Sequence, residues 1–184
     1  EFDNNFKPIF IVGLPRSGST LVESILTSGK KKIRSFGESN FFNIAILDQI
    51  KNKIFNKNFD LNNFEYKLDL SLIKKSILSR YNFQNLNNKD DTVFIDKSLE
   101  NVFNIDVIVK IFPSARFIHT SRDIKDSILS IYFSMLPELS WTHSLKTIDS
   151  YISNYKKTVI HFKNKYPNKL LNINLDNLTA NSDE

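Results

Sequence analysis

Residues 9–26 read IFIVGLPRSGSTLVESIL. Ile9 to Val12 are four consecutive apolar residues between Pro8 and Gly13, the pattern of a strand buried on both faces of a parallel sheet. Gly13 and Gly18 stand at the G-x-x-x-x-G spacing of a phosphate-binding loop. Thr20 to Leu26 continues as a helix that stops at Gly29. A loop between a strand end and a helix start offers an anion backbone N–H groups and the positive end of the helix dipole. The Walker lysine that follows the second glycine in ATP-binding loops is missing: Ser19 stands there, with Thr20 next. Arg16 lies inside the loop instead. The loop therefore suits an anion, but lacks the lysine that reaches the β- and γ-phosphates of ATP.

Working outward, the second half of the chain alternates strand and helix signals. Thr92 to Ile95 reads as a strand ending at Asp96-Lys97, and Val102 to Phe112 as an amphipathic helix stopped by Pro113. Arg116 to His119 is a further strand, followed by Thr120 to Asp123 and a helix to about Met135. Ser144 to about Lys165 is a long helix, and Leu170 to Leu175 a last strand. In the first half, Lys32 to Phe36 reads as a short strand before Gly37-Glu38. Phe41, Ile44, Leu47, Ile50 and Ile54 recur at helical spacing, and Leu70 to Tyr81 is a helix with Leu72, Ile73, Ile77 and Leu78 inward. Strands alternating with helices imply an α/β, P-loop NTPase-like fold of three layers, a central parallel sheet flanked by helices. Ligands of such sheets sit outside the carboxyl ends of the strands. The loop at 13–20, Asp96-Lys97 and Thr120 to Arg122 all fall there.

Composition narrows the classes. The 184 residues, 41% apolar and 24% charged, suit a single domain spanning 1–184. No apolar run approaches the roughly 20 residues of a membrane helix. No secretory leader opens the chain, which favours the cytoplasm for a bacterial protein. The absence of cysteine excludes disulfides, thiolate metal sites and a cysteine nucleophile. The three histidines are too dispersed for a local zinc motif, so no metal is expected. The net charge of +5 is spread rather than clustered; only Lys30-Lys31-Lys32 forms a run, read as a solvated loop, and no nucleic acid partner is expected. Only five of the 25 basic residues are arginines, Arg16, Arg34, Arg80, Arg116 and Arg122. Among so many lysines, these positions point to a need for the planar, bidentate guanidinium.

The loop LPRSGST, with an arginine inside and no Walker lysine, resembles the 5′-phosphosulfate loop of sulfotransferases. These enzymes use 3′-phosphoadenosine 5′-phosphosulfate (PAPS) as co-substrate and release 3′,5′-adenosine bisphosphate (PAP). The resemblance assigns Pro15, Arg16, Ser17, Gly18, Ser19 and Thr20 to the donor. In RFIHTSRDIKDSILSIYF, Arg122 and Ser130 have the spacing with which the family binds the 3′-phosphate. DKSLENVFNIDVIVKIFPSARFIHTSRD is similar to the middle of bacterial sulfotransferases associated with tetratricopeptide repeats, relatives of the tyrosylprotein sulfotransferases. The likeness runs from about residue 8 to about 180 and is weakest between 45 and 90.

That likeness implies the catalytic roles. Leu99 occupies the position of the histidine base of cytosolic sulfotransferases. Gly37-Glu38 matches the G-E pair of the tyrosylprotein enzymes, so Glu38 is the implied base, with Lys97 and Arg16 stabilising charge on the sulfuryl group. The acceptor is a hydroxyl compound: small molecule, glycan or peptide. Ser39 to Asn43 lacks the basic residues with which the tyrosylprotein enzymes hold acidic peptides, and the chain stops before a C-terminal segment that helps to close the cofactor site in the family. His119 is expected at a strand end rather than as a base, and Trp141 and Tyr155 lie either near the ligands or in packing. Two alternatives stay open. One is a small-molecule P-loop kinase with Phe94-Ile95-Asp96 as its Walker B strand; the other is a nucleotide-binding module without turnover.

Overall fold

The computed structural model describes residues 6–29, 33–55, 68–83 and 93–180. The lysine run at 30–32 and most of the Asn-rich stretch lie outside the described residues. In chain order the elements are β1 (Ile9–Gly13), α1 (Ser19–Ser28), β2 (Arg34–Ser35), α2 (Phe41–Ile54), α3 (Leu70–Phe83) and β3 (Phe94–Asp96). A 3-10 turn (Leu99–Asn104) leads into α4 (Ile105–Ile111), followed by β4 (Arg116–Ser121) and α5 (Ile124–Ser134). A second 3-10 turn (Ser140–His143) precedes α6 (Leu145–Lys165), β5 (Leu170–Asn174) and α7 (Leu175–Ala180).

The strands form one sheet in the order β2-β3-β1-β4-β5, with every pairing parallel. β1 takes the centre because its side chains can be buried on both faces. Phe10 and Val12 enter the larger core with Phe94 and Phe117, against α2 to α6. Ile11 enters the smaller core with Ile95 and Ile118, against Val22 and Leu26 of α1 and Leu178 of α7. Each of these fully buried side chains contributes about 2 kcal/mol of transfer free energy. The expected α/β architecture, a central parallel sheet with helices on its faces, is the one observed.

The topology also fixes where a ligand belongs. From β1 the chain moves to β2 on one side of the sheet, and from β4 it moves to β5 on the other. β1 and β4 are neighbours, registered from Ile9↔Arg116 to Gly13↔Thr120. Their connections part at the carboxyl ends, and the crevice this leaves is the ligand position of open α/β sheets.

Several local expectations are corrected. The helix expected over 102–112 begins as the 3-10 turn Leu99–Asn104, because the buried Asn101 side chain is held by Asp96 and draws the chain tight. Leu47 and Leu72, placed inward by periodicity, are exposed at 51% and 57%; the sheet instead covers Phe42 and Ala45 of α2, and Ile73 and Ile77 of α3. Thr120 and Ser121 extend β4 by pairing with Ile173 and Asn174, so His119 lies within the strand rather than at its end. Leu175, expected in the last strand, opens α7.

Candidate active site

The loop after β1 is shaped by two close approaches. A Cβ on Gly13 would lie 2.5 Å from Thr120 Oγ1 and 2.7 Å from the Thr120 carbonyl oxygen of β4. A Cβ on Gly18 would lie 2.5 Å from Leu175 Cδ1, and Gly18 has φ 87°. Arg16 also takes a left-handed backbone, φ 65°, which is uncommon for a side-chain-bearing residue and recurs where backbone geometry serves a site. Ser17 is buried; its hydroxyl donates to the Leu14 carbonyl at 2.7 Å and shares a 2.7 Å hydrogen bond with Thr120 Oγ1. The Ser17 side chain therefore ties the loop to β4 and does not face the cavity, whereas Pro15, Arg16, Gly18, Ser19 and Thr20 line it.

α5 brings the second set of polar groups. Asp123 caps it, its carboxylate accepting from the Lys125 and Asp126 backbone N–H groups, and these bonds hold its pKa below the usual carboxylate value. Ser130, on the same helix, accepts from Arg16 Nε at 3.3 Å, so the loop arginine and the α5 serine meet. Arg122 donates through Nη2 to Asp126 at 3.2 Å and lies 3.7 Å from Asp176 of α7. The atom facing Asp176 is Nε, which is buried and lies beyond hydrogen-bond reach of that carboxylate but within an ion pair.

On the other side of β1, Lys97 follows β3 and is 8% exposed. Its Nζ donates to Glu38 Oε1 at 2.7 Å and lies 3.6 Å from Glu23 Oε2 of α1. Glu23 is itself held by the Ser35 hydroxyl. The Glu38 side chain is 64% exposed, within reach of an incoming molecule. Asp96, in contrast, is completely buried. Its two oxygens accept from Ser39, Tyr81, Ser98 and Asn101, and it fixes the backbone that carries Lys97.

These groups surround one cavity of about 600 Å³. Arg16, Ser19 and Thr20 of the loop and α1, Arg122 after β4 and Ser130 of α5 line it. So do Glu38 after β2, Leu99 and Glu100 after β3, Glu138 and Trp141 after α5, and Tyr151 of α6. Lys97 stands behind Glu38 rather than in the wall. Trp141 is a lining residue, whereas Tyr155 is buried and hydrogen-bonds His119, which also meets Asn172 at 2.9 Å. Sequence reasoning missed Glu23, whose only signal was a carboxylate one helical turn after the loop. It also missed Leu175 as the cover of Gly18, and the wall formed by 136–141, which carries no motif. Burial raises the Tyr151 hydroxyl pKa, and the charge on Glu100 adds to this.

The geometry can be set beside known proteins. The sulfotransferase family profile matches residues 8–184. An uncharacterized protein of Aquifex aeolicus (strain VF5) is 23% identical over 186 residues, covering 97% of this chain and 24% of that protein. The crystal structure of sulfotransferase STF1 from Mycobacterium tuberculosis H37Rv is similar with a TM-score of 0.54 at 12% identity, over 96% of this chain and 64% of that one. Sulfotransferase STF9 from Mycobacterium avium gives 0.52 at 15% identity, over 96% and 61%. This chain thus spans about a quarter of the Aquifex protein and under two thirds of each solved structure, and the structural likeness concerns the fold. On the match of nearly its whole length, the chain belongs to the sulfotransferase family.

Proposed function

We propose that the chain is the sulfuryl-transfer domain of a PAPS-dependent sulfotransferase of the tetratricopeptide-repeat-associated, tyrosylprotein-like group. The observation that carries this is the cavity whose lining takes in Arg16, Arg122, Ser130 and Glu38, with Lys97 bonded to Glu38 from behind the wall. The donor fits the residues present. The helix start and loop amides suit its 5′-phosphosulfate, and the Arg122 guanidinium, which lines the cavity, suits a further phosphate oxygen.

In the reaction the acceptor oxygen attacks sulfur in line. The bond from sulfur to the 5′-phosphate oxygen breaks, and 3′,5′-adenosine bisphosphate leaves. Glu38 takes the proton of the acceptor hydroxyl. Lys97 and Arg16 offset the negative charge that develops on the sulfuryl and bridging oxygens, as preorganised cations do in phosphoryl transfer. Lys97 is held for this role by carboxylates on two elements, and α1 contributes both Glu23 and the helix start under the loop. Leu99 lines the cavity where cytosolic sulfotransferases have histidine, leaving Glu38 as the base.

The kinase alternative needs Asp96 as an acidic magnesium ligand. Both Asp96 oxygens are already engaged by protein donors in the core, which speaks against it. Thermal unfolding tests the proposal, because a ligand that binds only the folded state raises the melting temperature. PAP is expected to raise it and ATP with magnesium is not; the reverse would rule the sulfotransferase reading out. Transfer of label from PAPS to a panel of hydroxyl acceptors then separates an enzyme from a binding module.

A further inference from the structure

The segments after β2, β3 and α5 line the cavity with a charge opposite to that of the whole chain. The protein carries a net charge of +5, yet beyond the phosphate loop the wall presents Glu38, Glu100 and Glu138 and no lysine. Lys97, behind Glu38, is already matched by Glu38 and Glu23. Glu100 is half-buried and accepts from the neutral Asn43 amide at 3.2 Å. Glu138 is exposed at the rim. Among the described residues neither Glu100 nor Glu138 forms an ion pair.

Beside these carboxylates is an aromatic wall. Trp141 and Tyr151 stack with ring centroids 3.7 Å apart and planes within 2°, and both line the cavity with Leu99, Leu136 and Leu139. Trp141 Nε1 is buried without a hydrogen-bond partner. An indole N–H left without a partner is costly, so the ring is held here by its stacking on Tyr151 and its apolar neighbours. Apolar walls with a few fixed polar groups are the usual build of a small-molecule site.

We propose that this wall selects the acceptor: a small, ring-bearing alcohol or phenol that carries a protonated amine. Its ring packs against Trp141 and Tyr151, its ammonium group is drawn to Glu100 and Glu138, and its hydroxyl is presented to Glu38. This rests on the sulfuryl-transfer reading above and adds the acceptor class to it. An anionic acceptor would bring a like charge beside two unneutralised carboxylates. A cation gains from pairing with them and from the aromatic faces.

Three phenols that differ only in charge test the proposal: tyramine, 4-ethylphenol and 3-(4-hydroxyphenyl)propionate. Trp141 is the single tryptophan of the chain, so its emission reports on this wall. Titrations of the PAP-loaded protein, checked by calorimetry, are expected to rank the cation first and the anion last. Two part-exposed carboxylates are expected to separate cation from neutral phenol by about tenfold. Glu100→Gln and Glu138→Gln should each narrow that gap; Glu138 is exposed, so its variant should fold even if the other does not. Equal affinities, a preference for the anion, a gap unchanged in E138Q, or no binding of any of the three would overturn the proposal. A thermal shift with PAP on the same sample keeps the two readings apart. Loss of that shift in the wild-type chain counts against the sulfotransferase reading, whereas a PAP-binding chain without the amine preference counts against this inference alone.

Discussion

The two halves of the cavity are built by different means. The side proposed for the donor starts from backbone: a loop between β1 and α1, shaped by Gly13, Gly18 and the left-handed Arg16, and seated directly on β4, with Arg122 and Ser130 beside it. The acceptor half is made of side chains from segments far apart in the chain. Glu38 follows β2, Glu100 follows β3, and Trp141 lies in the turn between α5 and α6. A backbone cradle is rigid and tolerates little change, whereas a wall of side chains can be altered residue by residue. Donor binding should therefore respond to strain, and transfer should respond to charge.

Glu38→Gln tests that division most severely. It removes the proposed base but leaves the loop, Arg122 and Ser130 in place. Sulfuryl transfer is expected to fall by about 10²–10⁴-fold, the usual contribution of a positioned general base. PAP affinity, measured by calorimetry, should stay within a few-fold. A variant with wild-type turnover would remove Glu38 as the base.

Gly13→Ala is the corresponding test on the donor side. The added methyl meets the Thr120 backbone, which cannot move without disturbing the central β1–β4 pairing. A destabilisation of about 3 kcal/mol is expected, or a fall of roughly 10 °C in melting temperature for a chain of this size. Gly37→Ala provides the contrast. Gly37 has a positive φ, which Gly13 does not, but an added Cβ there meets nothing within 4 Å, so its cost should be limited to backbone strain. Equal losses at both positions would show that the loop is not the tightly fitted half.

A smaller effect is expected behind the cradle, where His119 hydrogen-bonds Asn172 and Tyr155. Burial lowers its pKa, the charge on Lys163 acts in the same direction, and the Asn172 hydrogen bond opposes them. On acidification the unfolded chain therefore takes up the proton first. The stability due to neutral His119 is fully present above about pH 6.5, the unfolded value, and is lost as pH falls toward the folded pKa. Melting temperatures measured through this range should decline more steeply for the wild type than for His119→Gln. Parallel profiles would mean that His119 is not the group responsible.

The same contrast explains what could be read from the sequence. The apolar run at 9–12, the glycine spacing and the strand–helix alternation fix local backbone, and they led directly to the parallel sheet and to the anion-binding edge. Arg122 and Ser130 were legible because one short helix joins them. The sequence gives no comparable signal for the wall at 136–141 or for Leu175 over Gly18, because these depend on how distant segments meet across the sheet. Helix faces were misread at Leu47 and Leu72 for a related reason: a 3.6-residue period leaves two faces open, and only the sheet decides which one is covered. Ser17 fitted the motif by position, yet the close approach of β4 turned its hydroxyl inward.

The central claim is that the β1–β4 crevice holds a 3′-phosphorylated adenosine nucleotide, and the affinity ratio for PAP over 5′-AMP measures this most directly. A charge-assisted contact from Arg122 to the 3′-phosphate is worth about 1.5–3 kcal/mol, or a preference for PAP of roughly 10- to 150-fold. Arg122→Ala is expected to abolish most of that preference while leaving 5′-AMP binding nearly unchanged. Equal affinities in the wild-type chain, or equal losses of both ligands in the variant, would contradict it.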